Sequence, residues 1–125
     1  MQVRTTVPVS YTPVGKLSGT ESNFIVATLI YFGKWNADEN GNPNNVEVGY
    51  SYYAFEPSTN EVTSLVKQDK KFLSIDEYNA LYDEVFPSLD QSLPQSQKEM
   101  LMYYIGLQIN VADTFGITLA ETEIV

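Results

Sequence analysis

The 125-residue chain contains no cysteine and no histidine. The absence of cysteine excludes a disulfide framework, a thiolate nucleophile and a zinc–thiolate site. The absence of histidine removes the usual general base near neutral pH and the commonest metal ligand. Since these groups carry much of the chemistry of small enzymes, we expect a protein that is not an enzyme and binds no cofactor or metal.

Long hydrophobic runs are also lacking. The longest apolar stretch is FIVATLIYF, residues 24–32, whereas a membrane-spanning helix needs about 20 apolar residues. The first residues, MQVRTTVPVSYTP, contain no apolar segment of the kind found in secretory signals. We therefore expect no membrane partner, and the short apolar run suits a buried strand.

Basic residues are scarce. Seven Lys and Arg stand against sixteen Asp and Glu, which gives a net charge of −9. Binding to a phosphate backbone needs clustered Lys and Arg, so we expect no direct contact with nucleic acid. The one basic group, Lys67, Lys70 and Lys71, is interrupted by Asp69. It fits a solvated strand end or turn better than a site for an anionic partner.

Motifs that would carry chemistry are absent or incomplete. Asp38, Asn40 and Asn42 alternate as in a calcium-binding loop, but Pro43 occupies the sixth position and Gly49 the twelfth. A calcium loop needs Gly and Glu at those positions, so the pattern favours a hairpin turn. The chain has no Gly-rich phosphate loop, no G-x-S-x-G and no HExxH.

The first half of the chain carries strand patterns. Residues 24–35 are apolar on both faces, which predicts a central strand covered on both sides. Pro8 cannot donate to a strand ladder, so the first stretch belongs at an edge or in an arm. Residues 12–23 are rich in turn formers and predict a loop or arm. The predicted strands are residues 2–11, 24–35, 46–55 and 61–67, with turns at 36–45 and 57–60.

The second half of the chain carries helical spacing. Ser74 followed by Glu77 is a capping box, which marks a helix start. Apolar residues then recur at helical spacing through residues 75–86 and span an arc of roughly 140°, as in a helix with one buried face. Pro87 is expected to end this helix.

A second helix is expected to begin near Pro94, a favoured first-turn residue, and to end at Gly116, which can adopt the left-handed cap. Ser96 with Glu99 offers a second capping box. The tail ITLAETEIV predicts a short strand or an irregular arm.

These elements together predict the α+β class. We expect an antiparallel meander of about four strands, followed by two C-terminal helices packed on one face and a short C-terminal strand if the tail pairs. Residues 1–20 would form an N-terminal strand or arm, and residues 21–125 a single domain.

The second helix is apolar almost all the way round, in the stretch KEMLMYYIGLQI. Its apolar arc is on the order of 260°, against about 100° or slightly more for a surface helix. Burial between the sheet and the first helix of the same chain is one explanation. The other, which we favour, is a subunit interface, because monomers seldom leave large apolar patches wet. The interface candidates are Met100, Met102, Tyr103, Leu107, Ile109 and Val111.

Features along the whole chain point to one class of protein. The chain starts with Met, lacks a signal, Cys and His, is acidic, and is rich in Tyr, Asn and Thr. An arm-like TTVPVSYTPVGKLSGT precedes the meander, and SIDEYNALYDEVF and SQKEMLMYYIGLQINVADTFGIT form the helical end. In these features the chain resembles the small structural proteins of tailed-bacteriophage particles.

The resemblance implies a repeated subunit in a head decoration, neck ring, tail or fibre attachment. Such a protein is assembled in the host cytoplasm and located in the virion. Its partners would be copies of itself and other virion proteins.

Two other classes of function remain open. The net charge of −9 would suit an acidic, phage-encoded inhibitor that mimics nucleic acid, although the acids are spread from Glu21 to Glu123 without a dense block. Trp35 and the tyrosine-rich strands would suit a small carbohydrate-binding module that stacks on sugar rings, although the chain has a single tryptophan.

Overall fold

The structure is a computed structural model that describes residues 1–35, 39–40 and 45–125, with only the backbone described for residues 34 and 35. The predicted turn at 36–45 and the calcium-like pattern lie largely outside the described residues. The elements are β1 (Val3–Thr5), β2 (Val9–Tyr11), β3 (Glu21–Trp35), β4 (Asn45–Glu56), β5 (Glu61–Ser74), α1 (Ile75–Val85), α2 (Gln95–Phe115) and β6 (Thr122–Ile124). Short 3₁₀ turns occupy Phe86–Ser88 and Leu119–Glu121. The predicted α+β class is confirmed.

The strands form one antiparallel sheet in the order β5-β4-β3-β1-β6, and β2 pairs with the first residues of β3. Strands β3, β4 and β5 are the predicted meander. Among the described residues the sheet has six strands rather than about four, for two reasons. The first predicted strand divides into β1 and β2 on either side of Pro8, which lacks the N–H that a ladder needs. The tail forms β6, which pairs with β1.

Two strands are longer than predicted. Strand β3 begins at Glu21 rather than residue 24, and β5 runs to Ser74 rather than residue 67. The extension of β5 is polar because β5 is an edge strand, where charged side chains remain in water and block further pairing. Lys67, Lys70 and Lys71 therefore lie within this strand, not at its end or in a turn.

The helix ends follow local chemistry. Glu77 N–H donates to Ser74 Oγ over 3.2 Å, so the predicted capping box is confirmed. Helix α2 follows Pro94 and ends at Gly116, whose φ of 66° is left-handed, again as predicted. The second predicted capping box is wrong, because the N-cap is Pro94 and makes no side-chain cap bond. Ser96 therefore lies inside the first turn.

Both helices pack on the same face of the sheet, and the core lies between the two layers. This face of β4 contributes every second residue from Val46 to Ala54, as the pleat requires. The largest fully buried side chains of this core are Tyr52, Ile25, Met102, Val3, Val46 and Val111. Helix α2 is wedged between the sheet and α1, since the Tyr103 ring stacks on Phe32 of β3 at 4.6 Å and lies 6.5 Å from Tyr78 of α1.

Two neighbouring methionines of α2, one in the core and one at its edge, allow this packing to be tested. Met102 is fully buried and Met100 is half-buried. Met102→Ala should lower the free energy of unfolding by about 2–5 kcal/mol, because it opens a cavity in the core. Met100→Ala should cost clearly less. Urea denaturation of both variants checks this, and equal losses would contradict the placement of α2.

Candidate assembly surface

The six interface candidates on α2 divide into a buried group and an exposed group. Ile109 is exposed and Met100 is half-buried. The other four are buried against the sheet and α1 of the same chain. These four are Met102, Tyr103, Leu107 and Val111. The wide apolar arc of α2 is thus explained by burial within one chain.

A polar group lies within the contact between α2 and the sheet. Asn110 Nδ2 donates to the hydroxyl of Tyr50 over 3.0 Å and also to that of Tyr52. Burial raises the pKa of both tyrosines, and for Tyr50 the charge of Asp69 adds to the rise. These bonds satisfy polar atoms that the core would otherwise leave unpaired, so Asn110 fixes the position of α2 on β4.

The opposite face of the sheet carries no helix in the part of the chain that is described. We call this the open face. Strand β3 was predicted to be covered on both sides, and this is wrong for its second half, because both helices lie on one side. By register, the open face is formed by Arg4, Phe24, Val26, Thr28, Tyr31, Glu47, Gly49, Ser51, Tyr53, Phe55, Val62, Leu65, Gln68, Lys70, Phe72 and Glu123.

Large apolar side chains on the open face are exposed to water. The exposed fraction is 56% for Val62, 56% for Phe72, 41% for Tyr31 and 37% for Leu65. Ile30, at the bulge where the β3–β4 register shifts, is 55% exposed. An antiparallel sheet with one solvated face normally alternates apolar and polar residues. The open face departs from that rule at these positions.

One half of the open face is organised around Glu47. The hydroxyl of Tyr31 donates to Glu47 Oε1 over 2.9 Å, and Lys70 Nζ lies 3.8 Å from the same oxygen. The Tyr31 ring crosses the backbone of Gly49, where any Cβ would overlap it. The hydrogen bond to Glu47 raises the pKa of Tyr31. These contacts hold an aromatic ring flat on the sheet and bury a carboxylate beneath it.

The other half is aromatic and contains two further charged residues, Arg4 and Glu123. Phe24 and Phe55 meet edge to face at 6.1 Å, and the Arg4 guanidinium lies 5.3 Å from the Phe55 ring centre. Arg4 is opposite Glu123 in the β1–β6 register. With Glu47 and Lys70, the open face carries two charges of each sign and is neutral overall.

The charge of the molecule is therefore concentrated elsewhere. Helix α1 contains Asp76, Glu77, Asp83 and Glu84 and no basic residue. A neutral, partly apolar face on a chain of net charge −9 is where another acidic chain would meet the least repulsion.

Comparisons of this chain with protein-family models, with curated proteins and with solved structures find no match. Neither helix in the described part of the chain is long and apolar enough to span a membrane. Among the same residues, no group of three or more carboxylates is arranged to hold a metal ion.

Sequence reasoning missed the open face, although part of its signal was present. The predicted strand 61–67 contains Val62 and Leu65, whereas Phe72 follows it in residues for which the sequence predicts neither a strand nor a helix. Strict alternation from Leu65 would place Lys70 and Phe72 on the other face, and only the register shift opposite Tyr52 and Tyr53 brings all three to the same face. The apolar arc of α2 is a stronger signal in the sequence than these residues of β5, so the sequence predicts the interface on α2 instead.

The close approach of Tyr31 to Gly49 gives a testable coupling. Gly49→Ala should displace the ring, break its bond to Glu47 and lower the free energy of unfolding by about 1 kcal/mol. In a Tyr31→Ser background the same substitution should cost little or nothing. A double-mutant cycle by urea denaturation measures the coupling. Equal costs in both backgrounds would contradict the contact.

The buried tyrosines predict an alkaline loss of stability. Burial raises the folded-state pKa of Tyr50, Tyr52 and Tyr103 above the usual value of about 10. The unfolded chain therefore releases these protons first, so stability is full below pH ~10 and falls as the pH rises further. Urea denaturation across this range checks the slope. Tyr52→Phe should flatten the decline, and an unchanged slope would contradict the assignment.

Proposed function

We propose that this protein is a non-enzymatic structural subunit of a tailed-phage virion, and that it acts through protein–protein contacts made by the open face. The observation that carries the proposal is the exposure of Tyr31, Val62, Leu65 and Phe72 on one sheet face, beside Ile30. The resemblance of the chain to small virion proteins supports the part of the proposal that places it in a phage particle. Its location would be the virion, as a head-auxiliary, neck, tail or fibre-attachment protein.

The partner we propose for the open face is a second copy of this chain. A face-to-face contact between identical subunits needs a self-complementary surface. The open face has apolar side chains together with two charges of each sign, Arg4 and Lys70 against Glu47 and Glu123. Because α1 packs on the opposite side of the sheet, two open faces bring neutral surfaces together and keep the acidic helices of the two copies apart.

A double substitution on the open face tests the contact. Leu65→Ser with Phe72→Ser removes two exposed apolar side chains and should leave the fold intact, since neither is in the core. Burying a large apolar side chain contributes about 1.5–3 kcal/mol. The variant should therefore self-associate at least about a hundredfold more weakly in sedimentation equilibrium. Leu119→Ser, at an exposed apolar residue outside the open face, is the matched control.

The control should associate like the unmodified chain. If the double variant also does so, or if the unmodified chain is monomeric at every concentration, the open face is not the contact. Circular dichroism of both variants confirms that they are folded.

The virion setting has its own test. Particles purified from cells whose phage or prophage encodes this chain should contain it in multiple copies by quantitative mass spectrometry, and antibody labelling should place it at one position on the particle. Absence from purified particles would overturn the virion role while leaving the open-face contact intact.

An acidic inhibitor is the second candidate, favoured by the four acids and no bases of α1. Such a protein would bind a basic, nucleic-acid-handling protein at low salt and release it at high salt, because exposed charges are screened. Loss of that binding in an Asp83→Asn, Glu84→Gln variant, with self-association unchanged, would favour this role over the virion role.

A further inference from the structure

The charge of this chain is divided unevenly between the two sides of the sheet. The open face carries Arg4 and Lys70 against Glu47 and Glu123, so it adds nothing to the net charge of −9. All of that charge therefore lies outside the open face. Helices α1 and α2, which we call the helical layer, together carry six acids and one base, Lys98.

The acids of α1 face water. All four are exposed, and they are Asp76, Glu77, Asp83 and Glu84. The ion pairs in the described part of the chain join Lys16 to Glu21, Lys67 to Asp69 and Lys70 to Glu47, so none of them involves α1. Lys71 of β5 lines the same cavity as Glu77, but with Lys71 counted the acids of this layer still outnumber the bases by three to one. The helical layer therefore presents a negative surface.

A contact between two open faces places the two negative layers at a distance where salt decides whether they repel. Two packed sheets lie about 10 Å apart, and the helices behind each sheet add about 10 Å more on either side. The helical layers of two copies are then roughly 30 Å apart. The Debye length is about 30 Å at about 10 mM salt and about 8 Å at about 150 mM salt.

Salt acts much less on the contact itself. The exposed side chains that the contact would bury are largely apolar, as at Val62, Leu65 and Phe72. The ion pair between Lys70 and Glu47 lies within one chain, with Nζ 3.8 Å from Oε1, so it does not join the two copies. Added salt therefore removes the repulsion between copies and takes little from the contact.

We propose that ionic strength regulates the open-face contact. At low salt the helical layers hold two copies apart, and near physiological salt the screening of these charges lets the open faces meet. The inference rests on the proposed function, because it names the condition under which the proposed contact forms. The salt dependence has the opposite sign to that of an acidic inhibitor, whose binding to a basic protein weakens as salt is added.

The first test is the self-association of the unmodified chain as a function of NaCl concentration. The association constant from sedimentation equilibrium should rise at least about tenfold between about 10 mM and about 150 mM NaCl, because the repulsion of two chains of charge −9 is screened. A constant that falls or stays the same across this range overturns the inference.

A charge variant separates screening from the general effect of salt on apolar burial. Asp83→Lys with Asp113→Lys changes the last turns of α1 and α2, where a base suits the helix dipole and the fold should be kept. Each substitution changes the charge by +2, so the net charge goes from −9 to −5. The product of the two charges then falls about threefold. The variant should associate at least about threefold more tightly than the unmodified chain at about 10 mM NaCl, and equally at about 1 M.

A matched variant controls for the substitutions themselves. Asp83→Glu with Asp113→Glu alters the same positions and keeps the charge, so it should match the unmodified chain at every salt concentration. If the lysine variant also matches the unmodified chain at low salt, the helical layer does not regulate the contact. A chain that stays monomeric at every salt concentration contradicts the open-face contact itself, whereas a chain that associates without this salt dependence contradicts only the present inference.

Discussion

The structure depends on one constraint: its sheet has two faces, and the helices of the described residues cover only one of them. Helix α2 is wedged against that face by Tyr103, which stacks on Phe32 and approaches Tyr78, and by Asn110, which bonds to two tyrosine hydroxyls. The covered face therefore has a dry core and a fixed register. The other face has Leu65 and Phe72 exposed to water, and that imbalance is the basis of the proposed assembly.

The two faces also differ in electrostatics. The acidic residues of α1 lie in the helical layer, while the charges of the open face occur as opposite pairs, Glu47 with Lys70 and Arg4 with Glu123. A subunit of this kind can bring its neutral sheet against another while its acidic helices stay in water.

Much of the fold could be predicted from the sequence, because local chemistry determines it. Ser74 with Glu77 and Pro94 with Gly116 set the helix boundaries, and alternation revealed the meander. The tertiary arrangement could not be predicted. The sequence of an all-round apolar helix is the same whether its own chain or a second chain covers it. The sequence therefore predicts Tyr103 and Leu107 as interface residues, although both are buried in the core. The second half of β5 is mostly polar, so the sequence pattern does not reveal that the strand continues to Ser74 and places Phe72 on the open face.

The central claim is that a second chain covers the open face, and thiol accessibility tests it most directly. Since the chain has no cysteine, Leu65→Cys introduces a single reporter thiol on that face. In concentrated, assembled protein the thiol should react with a maleimide far more slowly than in dilute, monomeric protein, whereas a cysteine at Leu119 should react equally fast in both. Equal reactivity of the Leu65 reporter in the two samples would show that the face stays in water and would contradict the proposed assembly.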